Sequence, residues 1–402
     1  TRMTMGSLFD GIGGFPLAAV HNDIVPVWAS EIEAFPIRVT KVRFPDMIHV
    51  GDITKLKGGE LPPVHVICGG SPCQDLSVAG LRKGLAGERS GLFMEQVRIA
   101  KEMRAEDEKN GRTDIFIRPR YMVWENVPGA FSSADGEDFR TVLTEIIRIK
   151  APACDVPEPD TGRWGSVGAA ILGNQFSLAW RVLDAQYWGV PQRRRRIFLV
   201  ADFGGLSAPE ILFKQESLSG DFEENEKRSS PAGGTGRNPA DPGGNYLKEE
   251  VLVFHLNQRD EVIDLQGVSG ALLATSNMQM RTFVSKKVQL YDSHGIGAKY
   301  TGPHPVAPTM TATYGKGGNN VPLITEEEEF DPPAEDGKRK VRSLTPLECE
   351  RLQGYPDGWT AIPKARDGAR YKALGNSVAI PCVDYIMQGI AYFLRKEVLA
   401  EQ

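Results

Sequence analysis

Short apolar runs alternate with longer amphipathic stretches over the first 200 residues of the chain. The runs that predict β-strands are residues 4–9, 24–30, 47–50, 64–68, 120–126 and 196–203. Two of the stretches between them, residues 91–109 and 138–149, carry apolar positions at helical spacing. Strands that alternate with helices predict an α/β fold with a mainly parallel, doubly wound sheet. In such sheets the chemistry lies at the carboxyl ends of the strands.

The pattern changes after Phe203. Residues 214–249 and 325–340 are polar and rich in charge, which predicts mobile insertions. Between them, residues 251–324 show short β-like runs, and helical patterning returns from residue 341. We therefore expect an α/β domain, a smaller β-rich domain, and a C-terminal segment that packs back on the first, at residues 1–203, 204–340 and 341–402.

The predicted β-rich domain contains a faint internal repeat. VSGALLAT at 268–275 and VAPTMTAT at 306–313 align at an offset of 38 residues, within the stretches 251–285 and 290–324. The match is short, so two interpretations stay open. The stretches are either two similar β-hairpins in one domain or two separate target-reading units.

The composition is that of an ordinary globular protein. The chain has 402 residues, of which 41% are hydrophobic and 25% charged, enough for a large core and two domains. No apolar run reaches the roughly 18 residues of a membrane span. The N-terminal segment lacks a signal-peptide layout. Five cysteines without a C-x-x-C pair argue against a disulfide framework and a zinc site, which predicts a cytoplasmic protein without a metal.

The net charge of −5 argues against a general nucleic-acid coat protein. It leaves room for a locally basic cleft, and PQRRRRIFLV at 191–200 supplies four consecutive arginines before an apolar strand. Because alternate residues of a strand point to opposite faces, Arg194 and Arg196 share one side. That side is a candidate substrate pocket, with Arg193 and Arg195 facing phosphates or solvent. A solvated basic patch is the plainer alternative.

The first candidate site is LFDGIGGF at 8–15, where a strand ends in a glycine-rich turn that opens a helix. Glycines let a ligand approach the backbone, although a tight turn without a ligand is an alternative. Glu31 follows Gly11 by 20 residues, the spacing expected of a carboxylate that binds a ribose diol. Asp52 ends the third strand. Each acid alone fits a surface residue or a helix cap, but their order predicts a nucleoside-bearing cofactor.

The second candidate site is GGSPCQDLS at 69–77. Gly69 and Gly70 permit an unusual loop conformation, and Pro72 restricts the backbone before Cys73. Cys73 then lies at the tip of a stiff loop, where its thiol can be exposed and activated. The alternative, an inert buried thiol, fits the other four cysteines better, namely Cys68, Cys154, Cys349 and Cys382.

The third candidate is VWENVPG at 123–129, where an apolar strand ends in a Glu-Asn pair. Hydrophobic neighbours of Glu125 favour a raised carboxyl pKa, so that the group can share a proton with a heterocycle. Considered alone, a single carboxylate would not be enough to support this proton-sharing role.

In this order, the motifs resemble those of the C5-cytosine DNA methyltransferases. The matching stretches are FDGIGGF, GGSPCQ, ENV, QRRRRIF, RLQGYPDGW and YKALGNSVAIPCV, and they cover nearly the whole chain outside the two polar insertions. The resemblance implies a doubly wound mixed sheet of the S-adenosylmethionine-dependent methyltransferase type with a smaller β-rich target-recognition domain. It also implies sequence-specific methylation of cytosine C5 in DNA.

The resemblance implies the following residues around S-adenosylmethionine and its product S-adenosylhomocysteine: Phe9, Gly11, Ile12, Gly14, Glu31, Ile32, Asp52, Ile53, Gly91, Leu92, Asn376, Ser377 and Val378. Glu31 would bind the ribose, and Asp52 would lie near the adenine. The family usually has a bulky aromatic residue at the position of Ile32, so stacking on the adenine would be weaker here or supplied differently.

The resemblance also implies the catalytic roles. Cys73 would attack cytosine C6, Glu125 would engage N3 and the exocyclic amine, and Arg196, with Arg194 nearby, would hold the pyrimidine O2 and the nucleophile loop. The target base must leave the helix to reach them. Further substrate contacts would come from Pro72, Gln74, Ser77, Asn126, Gln192 and Thr309.

The implied partner is double-stranded DNA. We expect the protein to bind it as a monomer and to have no membrane partner. The sequence leaves open the recognition motif and whether a cognate restriction endonuclease acts separately. A transfer-RNA cytosine methyltransferase, a non-catalytic DNA-binding relative and a nicotinamide oxidoreductase are the alternatives. The 138 residues of 203–340 favour DNA over RNA, and the presence of Cys73 and Glu125 disfavours a non-catalytic relative. The glycine-rich turn is not the G-x-G-x-x-G of an oxidoreductase.

Overall fold

The computed structural model describes residues 2–71, 91–159, 161–213 and 341–400, and, between residues 252 and 325, the backbone of six strands together with residues 306, 307, 309 and 310. The predicted insertions lie outside the described residues, except Thr325, which ends a strand.

An eight-stranded sheet forms the centre of the first domain. Its strands are β1 (Thr4–Leu8), β2 (Val25–Ser30), β3 (Ile48–His49), β4 (Val66–Gly69), β5 (Tyr121–Asn126), β6 (Val167–Leu172), β7 (Phe176–Asp184) and β8 (Arg195–Asp202). Their order is β3-β2-β1-β4-β5-β8-β7-β6. The first five are parallel, whereas β8, β7 and β6 continue the sheet in antiparallel pairings. The six predicted strands are confirmed, and the sheet is mixed.

The strand order reverses between β1 and β4, which pair with each other at the centre of the parallel half. In open α/β sheets a crevice forms at such a point, outside the carboxyl ends of the strands, and ligands bind there. The residues that follow β1, β2 and β4, together with the end of β5, therefore face a common crevice.

Helices cover both faces of the sheet. One face packs against α1 (Gly14–His21), α5 (Ser207–Phe213) and α8 (Ile380–Ala400). The other face packs against α3 (Leu92–Lys109) and α4 (Glu137–Arg148). In α4 the buried positions Phe139, Val142, Leu143, Ile146 and Ile147 follow the helical period, which is why the sequence predicted this helix.

The C-terminal segment begins its helices with α6 (Pro346–Gln353), where Thr345 and Glu348 form a capping box. With α7 (Asp367–Asn376) and α2 (Ala34–Arg43) it encloses a third apolar cluster. Ile12 and Leu17, from the first turn and helix of the chain, lie in the same cluster. The end of the chain thus packs against the glycine-rich turn at its beginning.

The β-rich part contains two antiparallel sheets, in the orders β10-β9-β11 and β13-β12-β14-β15. The strands are β9 (Leu252–Leu256), β10 (Val262–Asp264), β11 (Phe283–Ser285), β12 (Gln289–His294), β13 (Lys299–His304), β14 (Pro322–Thr325) and β15 (Val341–Ser343). The β-like pattern is confirmed. The second sheet extends past residue 340, because β15 pairs with β14. Residues 268–275 lie outside the described part of the chain, so the interpretation of the repeat stays a prediction.

Within the described ranges, no single helix is long and apolar enough to cross a membrane. The pair α7 and α8, bent by 46°, meets that test only when the two helices are counted together.

Candidate active site

The glycines of the turn after β1 are required for two different reasons, the backbone conformation and the lack of space for a side chain. Gly11 and Gly13 have φ values of 58° and 81°, in the left-handed region that favours glycine. Gly14 is required for space, because a Cβ there would lie 2.5 Å from Cγ2 of Val378 and 2.8 Å from Oη of Tyr355. The C-terminal segment therefore docks directly on this turn.

Glu31 binds the same turn from the end of β2. Its Oε2 accepts a hydrogen bond from the backbone N–H of Gly11 at 2.8 Å. Its Oε1 accepts from the N–H groups of Ile32 and Glu33 at 2.7 and 2.8 Å. These bonds fix the carboxylate beside the turn. The adjacent Ile32 is 73% exposed, which leaves a face of its side chain free for contact.

Asp52 caps the short 3₁₀ turn that follows β3. Its Oδ1 accepts from the backbone N–H and the hydroxyl of Thr54, at 3.0 and 2.8 Å. The backbone hydrogen bond from Thr54 is the main cause that lowers the pKa of the Asp52 carboxyl. Ile53 is buried, whereas Gly91 and Leu92, at the start of α3, are half-buried.

Asp10 is a site residue that the sequence analysis missed. It lies directly after Phe9 in the turn and is only 5% exposed. Its Oδ1 accepts from the Ser7 hydroxyl at 2.5 Å, and its Oδ2 has no hydrogen-bond partner among the described residues. Burial, with a smaller contribution from the charge of Glu31, raises the pKa of Asp10 to about 8. The sequence feature that could have identified Asp10 is an acidic residue within an otherwise apolar strand-to-helix motif.

The two glycines after β4 are needed for space. A Cβ on Gly69 would lie 2.6 Å from Oε1 of Gln96, and one on Gly70 would lie 2.8 Å from Oε2 of Glu125. Neither has a φ in the left-handed region, and the loop after Ser71 lies outside the described residues, so the unusual loop conformation stays a prediction. Their small size lets strand β4 approach the Glu125 carboxylate.

Ser71 is held at the end of β5. The indole Nε1 of Trp124 donates to its hydroxyl at 3.1 Å, and Nδ2 of Asn126 donates to its carbonyl oxygen at 3.0 Å. The predicted nucleophile loop follows immediately. Its residues Pro72, Cys73, Gln74 and Ser77 lie outside the described residues.

Glu125 and Arg196 form a mostly buried ion pair. Nε of Arg196 lies 3.1 Å from Oε1 of Glu125, and the two side chains are 17% and 13% exposed. The antiparallel register pairs Asn126 with Ile197, which brings Arg196 beside the end of β5. Burial raises the pKa of Glu125, and the positive charges of Arg196 and Arg194 oppose this shift.

Arg194 points into the same region but contacts backbone. Its guanidinium donates to the carbonyl oxygens of Met310, Gly375 and Ser377, at 3.2 Å for Met310 and 3.1 Å for Gly375. Burial lowers the pKa of this guanidinium to about 9. The predicted alternation is confirmed, since Arg194 and Arg196 lie inward while Arg193 and Arg195 are exposed.

Gln192 is fully buried and joins three segments. Its Nε2 donates to the carbonyl of Leu352 at 2.9 Å, and its Oε1 accepts from the N–H of Met310 at 3.2 Å. Gln192 was predicted to contact DNA, but its side-chain amide forms hydrogen bonds inside the protein. Thr309 also bonds internally, since its hydroxyl donates to the Arg193 carbonyl.

The described end of the recognition region is paired with the arginine segment. Arg193 N–H donates to the carbonyl of Ala307 at 2.9 Å, and Ala307 N–H donates to Pro191 at 3.0 Å. Thus the backbone before β8 is joined to the recognition side by an isolated parallel β-bridge.

The C-terminal residues close the crevice. The Ser377 hydroxyl bonds to Oη of Tyr355, and Nε1 of Trp359 donates to the carbonyl of Ile12 at 2.8 Å. Val378 is buried against the glycine-rich turn, whereas Asn376 is exposed. Residues far apart in sequence therefore meet here, as the order of the motifs implied.

Three of the described cysteines are poor nucleophiles. Cys68, Cys349 and Cys382 are buried, and burial raises the pKa of each thiol. Cys154 is half-buried, so the expectation of a buried thiol was wrong for this residue. Three cysteines thus match the expectation of inert packing residues.

The crevice fits a nucleoside-bearing cofactor. A Cβ on Gly11 would meet nothing within 4 Å, so there is open space beside the turn. That space adjoins the carboxylate of Glu31 and the exposed Ile32 side chain, and the buried Asp10 belongs to the same turn. In the described part of the chain, no three His, Cys, Asp or Glu side chains lie close enough to hold a metal ion.

Comparison with known proteins identifies relatives along most of the chain. A DNA N-6-adenine-methyltransferase of Escherichia phage P1 is 32% identical over 96% of this chain, and the chain spans 60% of that relative's length. Type II methyltransferase M1.ScrFI of Lactococcus lactis subsp. cremoris is 27% identical over 98% of this chain and 79% of its own.

Solved structures share the fold. The crystal structure of S. pombe Dnmt2 methyltransferase superposes with a TM-score of 0.54 at 16% identity, and covers 98% of this chain and 99% of its own. The family described as C-5 cytosine-specific DNA methylase matches residues 3–150 and 170–391. The chain therefore belongs to the C-5 cytosine-specific DNA methylase family.

Proposed function

We propose that this protein transfers a methyl group from S-adenosylmethionine to C5 of a cytosine in double-stranded DNA, within one short recognition motif. The observation that carries this proposal is the mostly buried ion pair of Glu125 and Arg196. It lies at the end of β5 next to Asn126, which holds Ser71 directly before the Cys73 loop. A carboxyl group beside a guanidinium matches the polar edge of a pyrimidine, which has both donors and acceptors, better than it matches a phosphate, which the carboxylate would repel.

The glycine-rich turn and the C-terminal segment would hold the cofactor. Glu31, fixed by three backbone hydrogen bonds, would accept from the ribose hydroxyls, and Ile32 would cover the adenine. Asp52, whose pKa is lowered, stays ionised at neutral pH near the same edge. Asn376 and Ser377 would close the other side. The bound cofactor supplies an electrophilic methyl group on a sulfonium.

Cys73 would supply the nucleophile. Cytosine C5 is a weak nucleophile, and a thiolate that adds to C6 makes C5 electron-rich. After C5 has gained the methyl group, it gives its proton to water, and the bond between Cys73 and C6 breaks to restore the C5–C6 double bond and the thiolate. Because C6 is hidden in a stacked duplex, the target base must leave the helix first.

Glu125 and Arg196 would bind the flipped base. Burial raises the pKa of Glu125, which lets the carboxyl group hold a proton near N3 as charge develops on the ring. Arg196 would donate to O2. We assign Arg194 and Gln192 a positioning role, because their side chains bond backbone groups of the recognition and C-terminal segments.

Replacing Glu125 by glutamine should lower kcat by about 10²–10⁴-fold, the usual contribution of a general acid or base. Glutamine keeps the shape but cannot exchange a proton with N3. The measurement is transfer of labelled methyl groups to DNA, with cofactor affinity measured in parallel. Glu145→Gln, on the outer part of α4, is the matched control and should keep full activity. An unchanged kcat in Glu125→Gln would remove the proposed role.

Arg193 and Arg195 would contact DNA phosphates on either side of the target. Both are exposed, and the backbone of Arg193 is fixed by its bond with Ala307. Replacing both by alanine should weaken DNA binding uniformly across sequences and reduce the slope of log K against log salt by about 2, roughly one unit per phosphate contact. Fluorescence anisotropy over a salt series measures this slope.

Arg148→Ala, at the end of α4, where Arg148 pairs with Glu145 and has no proposed contact with DNA, serves as the control for that experiment. It should leave the salt slope unchanged. Equal slopes for the double variant and the wild type would assign Arg193 and Arg195 to solvent instead.

The name of the phage P1 relative raises adenine N6 as a second candidate target. About two-fifths of that relative lies outside the matched length, so its named activity need not come from the matched part. Digestion of methylated DNA to nucleosides separates the two candidates. The proposal requires 5-methylcytosine as the product, and N6-methyladenine alone would overturn it.

A further inference from the structure

Asp10 lies in a place where a buried acid is costly. Its carboxyl group follows β1 at the reversal of strand order, beside the strand that carries Cys68. Oδ1 accepts from Ser7, but in the part of the chain that the structure describes Oδ2 has no partner. A buried polar atom without a hydrogen bond destabilises a fold. Such an atom in a turn that borders a ligand crevice is a candidate for contact with the ligand.

No cation of the described chain compensates Asp10. The groups that act on it are the Ser7 hydroxyl from its own strand and the Glu31 carboxylate from the end of β2. The neighbouring titratable groups are the Cys68 thiol on β4 and the Tyr355 phenol of the C-terminal segment. All of these are neutral or negative at neutral pH. The surroundings therefore favour the protonated carboxyl group as long as no cation is bound.

The Glu31 carboxylate, which lies beside the turn that contains Asp10, further favours the protonated form of Asp10. Glu31 already accepts from the Gly11 N–H and is fixed in place. Like charges at short range cannot both ionise without cost. Burial and Glu31 together raise the pKa of Asp10 to about 8, so the group holds its proton near neutrality, and a nearby cation would release it.

We propose that Asp10 is a proton-switched counter-ion for the cofactor. Asp10 is neutral in the free protein, and it gives its Oδ2 proton to the solvent when a cationic group of S-adenosylmethionine enters the crevice. The O–H bond breaks, the proton goes to buffer, and the resulting carboxylate pairs with the cation. The cation is either the sulfonium or the α-ammonium group. This inference rests on the proposed function, which supplies the cofactor.

The two possible cations have different consequences. If Asp10 faces the sulfonium, it favours S-adenosylmethionine over the product S-adenosylhomocysteine, whose sulfur is neutral. Product inhibition would then be weaker than in a protein without this acid. If Asp10 faces the α-ammonium, both ligands bind with the same proton release.

Isothermal titration calorimetry tests the proposal directly. Each ligand is titrated into wild type, Asp10→Asn and the control Asp23→Asn at pH 7, in two buffers of different ionisation enthalpy. The wild type and the control should release roughly 0.5–1 proton more than Asp10→Asn on binding S-adenosylmethionine. Because the same ligand is used with each protein, its own titration cancels. Asp23 is an exposed residue outside the crevice and pairs with Arg395.

The titration with S-adenosylhomocysteine identifies which cation Asp10 faces. Extra proton release with S-adenosylmethionine alone assigns Asp10 to the sulfonium, and release with both ligands assigns it to the α-ammonium. Equal proton release by wild type and Asp10→Asn with both ligands overturns the inference while leaving cofactor binding intact. No binding of either ligand to the wild type counts against the proposed function itself.

A second measurement does not need the ligand. The unfolded carboxyl group has a pKa near 3.8 and the folded one about 8, so folding takes up a proton between these values. The stability of the wild type relative to Asp10→Asn should therefore fall as pH rises through this window. The unfolding equilibrium constant should change by up to about tenfold per pH unit. A stability difference that is independent of pH would mean that Asp10 is ionised already, which contradicts the proposal.

Discussion

Serine in place of Cys73 is expected to abolish methyl transfer while cofactor binding stays intact. A serine hydroxyl is scarcely ionised at neutral pH, so the bond to cytosine C6 would not form. Three of the described cysteines offer no substitute, because burial raises the pKa of Cys68, Cys349 and Cys382. Turnover should fall by at least roughly 10³-fold, as expected for the loss of a covalent nucleophile.

The measurement for Cys73→Ser pairs two readouts. Transfer of labelled methyl groups to DNA reports turnover, and calorimetric titration with S-adenosylhomocysteine reports the cofactor site. Cys154→Ser is the matched control, because Cys154 is a half-buried thiol whose pairing with the substrate is not proposed. It should retain wild-type turnover. Substantial methylation by Cys73→Ser would mean that the reaction needs no thiolate.

Methionine in place of Arg194 is expected to have the largest effect on stability. The guanidinium bonds the carbonyl groups of Met310, Gly375 and Ser377, which come from two distant segments. Removing it leaves buried carbonyls without a partner, at about 1–3 kcal/mol for each affected group. Part of this is offset because a buried guanidinium is itself poorly solvated, as its lowered pKa indicates. A net loss of about 2–4 kcal/mol in the free energy of unfolding follows.

Urea unfolding measures that loss, and cofactor titration measures its consequence at the site. Because Ser377 helps close the crevice, Arg194→Met should also weaken cofactor binding. The neighbouring Arg195 is exposed, so Arg195→Met should change the free energy of unfolding by less than about 0.5 kcal/mol. Equal stabilities for the two variants would refute the positioning role of Arg194.

The sequence predicted the parallel half of the sheet but not its antiparallel edge. The strands that carry motifs are short apolar runs bounded by turns, and each of the six was predicted. Strand β6, VGAAIL, has Gly or Ala at three of its six positions and lies at the sheet edge, with alternate positions exposed. Gly and Ala have weak β-propensity, and an edge strand is less buried than a central one. Its neighbour β7 pairs with both β8 and β6.

The candidate site was predictable where chemistry is carried by local motifs. Glu125 and Arg196 are adjacent to strand ends, and the predicted alternation of the four arginines is present. The long-range bonds were not predictable. Gln192 reaches Leu352 across 160 residues, and Arg194 reaches Gly375 across 181. A local pattern holds no information about such partners, so both residues looked like ligand contacts.

The roles of Gly69, Gly70 and Asp10 could not be predicted from the sequence for a different reason. Gly69 and Gly70 are needed because Gln96 and Glu125 approach them, a requirement set by α3 and β5 rather than by the loop. Asp10 resembled any polar turn residue, and only its burial and its unpartnered oxygen distinguish it. Tertiary packing, absent from the sequence pattern, decides both cases.

The most direct test of the central claim is a base-resolution map of 5-methylcytosine in genomic DNA. The DNA comes from a methylation-deficient bacterial host that expresses either the wild type or Cys73→Ser. The account predicts methylation of one cytosine in one short motif with the wild type, and none with the variant. Absence of 5-methylcytosine from DNA, in cells that contain soluble wild-type protein able to bind the cofactor, would contradict it and make transfer RNA the next substrate to sequence.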